Sequence, residues 1–157
     1  MSGEAKHALR ALAALVAVLI FLAALAYPAV GTCAANGGLN RPNWFDNTTI
    51  LFFGWLAVFA GQFGWFANVP FFLNVAGLLR DRHPHRIVPI AQAFLLFVAI
   101  VTLRPASGLR LPHNEAFDEP LCYLGVGFWM WVVAQSIVLA ASFAAQRQVT
   151  AERSAGL

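Results

Sequence analysis

Charge is scarce in this chain. Lys, Arg, Asp and Glu make up 11% of its 157 residues, hydrophobic residues make up 60%, and mean hydropathy is +0.69. A soluble globular domain carries about 25% charged and about 45–50% apolar residues, so both departures point to an integral membrane protein. Cysteine is scarce too. Cys33 and Cys122 form no C-x-x-C pair, which excludes a thiolate zinc site or an iron–sulfur cluster within one chain. No Asp, Glu, Lys or Arg lies deep inside a long apolar run. Proton- and ion-coupled transporters usually keep such a residue in the membrane. Histidine is missing from the runs as well: His7, His83, His85 and His113 all fall in flanks or connections, which excludes bis-histidine haem within the bilayer. There is no basic stripe with interleaved aromatics, so nucleic acid is not an expected partner.

Four apolar runs are present. They cover residues 8–27, 50–79, 87–103 and 121–145, or 20, 30, 17 and 25 residues. A helix crosses the hydrocarbon core in about 17–25 residues, so the first, third and fourth runs fit directly. The second would be ~45 Å long at ~1.5 Å per residue and has to tilt, kink or extend past the core. Open strands would leave backbone groups unsatisfied in lipid. The expected fold is therefore all-α, a single-domain four-helix bundle of transmembrane helices. Asp46, Thr48 or Thr49 can cap the second helix. Asp118, Glu119 and Pro120 make a good start for the fourth.

Basic residues set the orientation. Lys6, Arg10, Arg80, Arg82, Arg86, Arg147 and Arg153 fall on one side, and Arg41, Arg104 and Arg110 on the other. Seven against three places both termini in the cytoplasm. The expected location is a bacterial inner membrane, with Trp44, Phe45 and Phe117 near its outer interface. A rival reading takes the first run as a secretory signal, cleaved after Ala24-Leu25-Ala26.

Cys33 and Cys122 both fall on the outer side in this topology, which is oxidising for a bacterial inner membrane. They are candidates for a disulfide, which needs Cα atoms about 4.4–6.8 Å apart; unpaired cysteines are the alternative. The arrangement is faintly similar to the bacterial disulfide-regenerating quinone reductases, which also have four spans. Those enzymes need a cysteine pair in each outer loop, and this chain has one in each, so exchange lacks a resolving partner. His83-Pro84-His85 has no third ligand nearby and reads as an orientation signal with a turn at proline. Glu115, Asp118 and Glu119 read as a solvated loop with a helix cap. No catalytic, metal or cofactor residue is expected.

The stretch GWLAVFAGQFGWFANVPFF, residues 54–72, combines an apolar background with two amides, a proline and three glycines. Through Gly54, Trp55, Gly61, Gln62, Trp65, Ala67, Asn68 and Pro70 it resembles a segment of small, uncharacterised bacterial four-span inner-membrane proteins. It departs from their Ala-Asn-Pro pattern by placing Val69 before Pro70. The resemblance implies a four-span protein and no activity.

Read from its own residues, the stretch predicts a kink between Phe66 and Pro70, because Pro70 cannot donate to the Phe66 carbonyl. Gly54, Ala57, Ala60, Gly61 and Gly64 make one flank small enough for close helix approach, as do Ser136, Ala140 and Ala144 on the fourth helix. An amide facing lipid is costly, so each should turn inward and find a partner. Counting along the runs places Gln62 with Gln135 near mid-bilayer, and Asn74 or Asn68 with Gln92 at a shallower level. These residues form either a structural polar seam or, with Trp55 and Trp65 as walls, a cleft for lipid, quinone or a partner helix.

The expected function is a non-enzymatic multi-pass membrane protein, an accessory, assembly or self-associating component. Its partners would be the lipid bilayer and a second copy or another membrane protein. The alternatives are a small oligomeric transporter, a lipid- or quinone-binding protein, and the thiol-redox enzyme.

Overall fold

The computed structural model describes residues 3–32, 43–53, 63–80, 85–103 and 121–155. Along these the chain runs α1 (Gly3–Ala24), β1 (Pro28–Thr32), β2 (Asn43–Asp46), α2 (Asn47–Phe53), a 3-10 turn (Gly64–Ala67), α3 (Asn68–Leu79), α4 (Ile87–Thr102), β3 (Leu121–Leu124) and α5 (Val126–Ala155). The fold is mostly helical, with five α-helices among the described residues. Two of them, α1 and α5, are long and apolar enough to cross a membrane by length and composition.

Alanine and leucine favour α1 throughout, and Glu4 in its first turn suits the positive end of the helix dipole. Ala14, Ala17, Phe21 and Ala24 are buried at three- and four-residue spacing, which makes one inward stripe. Pro28 lies beyond the helix and opens β1. The carbonyls of the last α1 residue and the one after it are taken up by α2: Asn47 Nδ2 donates to Ala24 O at 2.8 Å and Thr48 Oγ1 to Leu25 O at 2.9 Å. These side chains satisfy acceptors that every helix end leaves open. Asp46 caps α2 in turn, its Oδ1 accepting the Thr49 N–H at 2.7 Å.

The core lies where α1, α3 and α5 meet. Ala14, Ala17 and Phe21 pack with Phe71, Val75 and Leu78 and with Ala134, Val138 and Ala145. The Phe21 and Phe71 rings stack at 5.2 Å. Beside this core α4 packs against α3, α5 and the 3-10 turn. Gly64 makes the last of these approaches possible: a Cβ there would lie 2.5 Å from Ala99 Cβ and 2.9 Å from Ala99 Cα.

Several boundaries differ from the sequence reading. The all-α expectation is corrected by an antiparallel three-stranded sheet of order β2-β1-β3. Its strands occupy connections and residues 121–124, where helix was expected, so α5 starts at Val126 and extends past 145 to Ala155. Backbone pairing of Leu121–Leu124 with β1 takes the place of a first helical turn. In the sheet, Trp44 and Tyr123 flank Gly31 from opposite strands, and their ring centroids are 6.1 Å apart. The aromatic rings cover the backbone that glycine leaves bare.

The 50–79 run is not one continuous helix. Residues 47–53 form α2, Phe63 is non-helical, and the 3-10 turn precedes α3. Pro70 therefore sits in the first turn of a fresh helix, where its missing N–H costs nothing. The change of winding at Ala67–Asn68 stands where a kink within a continuous helix was expected. The small stripe of the fourth helix, Ser136, Ala140 and Ala144, is exposed, and the buried small residues of α5 are Gly127, Ala134, Ser142 and Ala145.

Candidate functional site

The most polar part of the interior is a chain of amides across three helices. Asn68 and Asn74 come from α3, Gln92 from α4, and Gln135 with Trp131 from α5. Asn74, Gln92 and Gln135 are 0% exposed, and Asn68 is 7% exposed. Asn74 Nδ2 donates to Gln92 Oε1 at 2.7 Å. Gln92 Nε2 donates to Gln135 Oε1 at 2.8 Å and to the Gln135 backbone carbonyl at 3.0 Å. Gln135 Nε2 donates to Asn68 Oδ1 at 3.2 Å, and the same oxygen accepts the Trp131 indole N–H at 2.8 Å.

The local sequence explains the convergence. Trp131 and Gln135 are four residues apart and share a face of α5, so one Asn68 oxygen serves both. Asn74 lies six residues beyond Asn68, which at ~1.5 Å per residue is about 9 Å along α3. That gap is bridged by the two glutamines, whose side chains are the longest amides available. All donors point the same way from Asn74 to Asn68, an arrangement in which each bond polarises the next. Asn74 Oδ1 and Ser142 Oγ are buried with no hydrogen-bond partner among the described residues.

Some sequence candidates fall elsewhere. Trp65 turns its indole N–H to Leu51 O at 2.9 Å, tying the 3-10 turn to α2. Gln62 and Trp55 lie outside the described residues, and so does the expected Gln62–Gln135 pairing. The amide of Gln135 is engaged by Gln92 and Asn68. Cys33 also lies outside, and only the backbone of Cys122 is described, in β3. Trp131 is a member that the sequence reading missed. Its spacing from Gln135 was the available signal.

Chemically the relay is neutral. Amides and an indole donate and accept hydrogen bonds but do not ionise near neutral pH. Among the described residues no three His, Cys, Asp or Glu side chains group to hold a metal ion. No family model, curated protein or solved structure matches the chain.

Proposed function

We propose that this protein is a multi-pass membrane protein of the inner membrane. Its α1, α3, α4 and α5 form a four-helix bundle that acts as a non-enzymatic, self-associating or accessory component. The observation that carries this reading is an inverted polarity: the amides of the relay are buried while large apolar side chains face outward. Leu19, Phe94 and Phe97 are 66%, 64% and 63% exposed, and Leu9, Leu12, Leu15, Leu22, Ile87 and Ile90 are exposed with them. A monomeric soluble protein rarely leaves so extensive an apolar surface bare. The core helix of a soluble domain is mostly buried, whereas 22% and 33% of the most apolar windows of α1 and α5 are buried.

The length of α1 agrees with a bilayer, whereas α3 and α4, with 12 and 16 residues, are shorter than the usual span. At ~1.5 Å per residue α1 is about 33 Å long, against a hydrocarbon thickness of ~30 Å. The sheet, with exposed Trp44 and Tyr123, belongs at the outer interface, where amphipathic rings are favoured. The outward line of Ser136, Ala140 and Ala144 supports self-association, since small residues four apart allow a second helix close approach. Nothing in the relay supports turnover.

Reporter fusions test the reading. Fusions after Leu79 and at the C-terminus are expected to read cytoplasmic, and those within residues 104–120 external. A mature N-terminus at Tyr27 or identical readings on all fusions contradict the four-span arrangement.

A further inference from the structure

A second polar feature stands apart from the relay, at the end of the molecule where α4 begins and α5 runs out. An open depression of about 440 Å³ is lined there by Arg86, Phe143, Gln146, Arg147, Thr150 and Ser154, among others. The α5 members recur at three- and four-residue spacing, so they share one face of the helix. Arg86 immediately precedes α4 and reaches across to α5, its Nη2 donating to Thr150 Oγ1 at 3.0 Å. The Thr150 hydroxyl donates to the Gln146 carbonyl at 3.1 Å, which leaves a lone pair aimed at the guanidinium. Ser154 is fixed in the same way on the Thr150 carbonyl at 3.0 Å. Arg86 is thus held in place, with most of its N–H groups uncommitted among the described residues. Arg147 is exposed and has no hydrogen-bond or ionic partner among the described residues. Among the described residues the lining carries two guanidinium groups and no carboxylate; the positive end of the α4 dipole and the negative end of the α5 dipole both lie beside them.

Depth identifies what such a site meets. Count from Gln135 in the relay. At ~1.5 Å per residue Phe143 lies about 12 Å along α5, Gln146 about 16 Å and Ser154 about 28 Å. Half of the hydrocarbon core is about 15 Å. With the relay near mid-bilayer, Phe143 sits within acyl chains and Arg147, about 18 Å along α5, at headgroup level; Arg86 lies six residues before Gln92, about 9 Å along α4, and its long side chain reaches up to Thr150. We propose that this depression is a headgroup site for an anionic phospholipid, its phosphate diester held between Arg86 and Arg147. Guanidinium groups match phosphate oxygens in paired hydrogen bonds, and basic pockets between helices at the cytoplasmic face suit anionic headgroups. Phe143 packs against the first methylenes of the acyl chain. This proposal rests on the chain being membrane-embedded.

The test uses the full chain in bilayer nanodiscs of phosphatidylcholine and phosphatidylglycerol, with retained lipid read by native mass spectrometry. Wild type is expected to retain phosphatidylglycerol preferentially. Arg147→Gln, which breaks no bond among the described residues, is expected to lower that preference roughly fivefold, and Arg86→Gln with Arg147→Gln further. Arg80→Gln, at the same end but outside the lining, is expected to leave it unchanged. A preference that survives Arg147→Gln, or falls equally with Arg80→Gln, overturns the site. Release of the lipid by millimolar glycerol phosphate assigns the depression to a soluble phosphate ester and overturns the lipid assignment. Alkaline carbonate extraction of cell membranes separates the two levels. A chain that washes off overturns the membrane reading and the lipid site with it. A chain that stays but shows no headgroup preference overturns the lipid site alone.

Discussion

Gln92 Nε2 donates to Gln135 twice, to the side-chain oxygen at 2.8 Å and to the backbone carbonyl at 3.0 Å. One amide group therefore fixes α4 to α5 through an atom of the helix backbone as well as a side chain. Its other end accepts from Asn74, so α3 joins the same joint. Sliding any of the three helices by one residue would separate these groups. If the bundle is membrane-embedded as proposed, the relay sets its register more than its gross stability, because interhelical hydrogen bonds in membranes are worth only about 0.6–1.7 kcal/mol each.

Gln92→Leu removes every side-chain bond that Gln92 makes and leaves Asn74 and Gln135 short of partners. The expected loss is about 1–3 kcal/mol, read by reversible unfolding in mixed micelles. Gln135→Leu with Gln92→Leu should cost less than the two singles together, with a coupling of about 0.5 kcal/mol or more. Strict additivity would show that the pair does not interact.

Gly64→Ala forces a methyl group into Ala99, whose Cβ is 2.5 Å and whose Cα is 2.9 Å from the added atom. The backbone of α4 cannot give way as a flexible side chain would. Overpacking of this kind costs about 1–3 kcal/mol. Adding Ala99→Gly should recover part of the loss and not all of it, because the added methyl still presses on the α4 backbone. The same unfolding assay reads both, and full tolerance of Gly64→Ala would contradict the close approach.

Asp46 titrates below its ordinary value of 3.8, chiefly because the backbone N–H of Thr49 bonds its carboxylate, with the Thr49 hydroxyl adding to this. A depressed carboxylate contributes stability that is present above the unfolded value and is lost as pH falls through the folded one. The α2 cap should therefore persist from neutral pH down to 3.8 and open below it. The Thr49 amide resonance followed against pH gives the inflection, and an inflection at or above 3.8 would contradict the cap.

Asn68, Asn74, Gln92 and Gln135 stand out in the sequence because an amide inside an apolar run has few acceptable surroundings. Which amide meets which is not written there. Depth counts assume continuous helices, and the break before α3, with α5 starting at Val126, shifts those counts. The two expected polar levels are instead joined, since Gln92 reaches both Asn74 and Gln135. The sheet was hidden for a different reason. Its strands of four or five residues contain Gly31, Pro28 and Asn43, too short and too broken for an alternating pattern. Their pairing depends on helix ends that bring them together. Thr48 was visible as a candidate cap, but its bond to the Leu25 carbonyl, like that of Asn47 to Ala24, depends on that same tertiary placement.

In the proposed membrane arrangement the amides face in and the large apolar side chains face lipid. Nitroxide labels at Leu19→Cys, Phe94→Cys and Phe97→Cys, on a background lacking Cys33 and Cys122, test it by collision with oxygen and with a water-soluble nickel chelate in reconstituted bilayers. Oxygen is expected to dominate at all three positions and the chelate at Ser154→Cys. Dominance of the chelate at Leu19→Cys, Phe94→Cys and Phe97→Cys would put those faces in water and contradict the membrane arrangement.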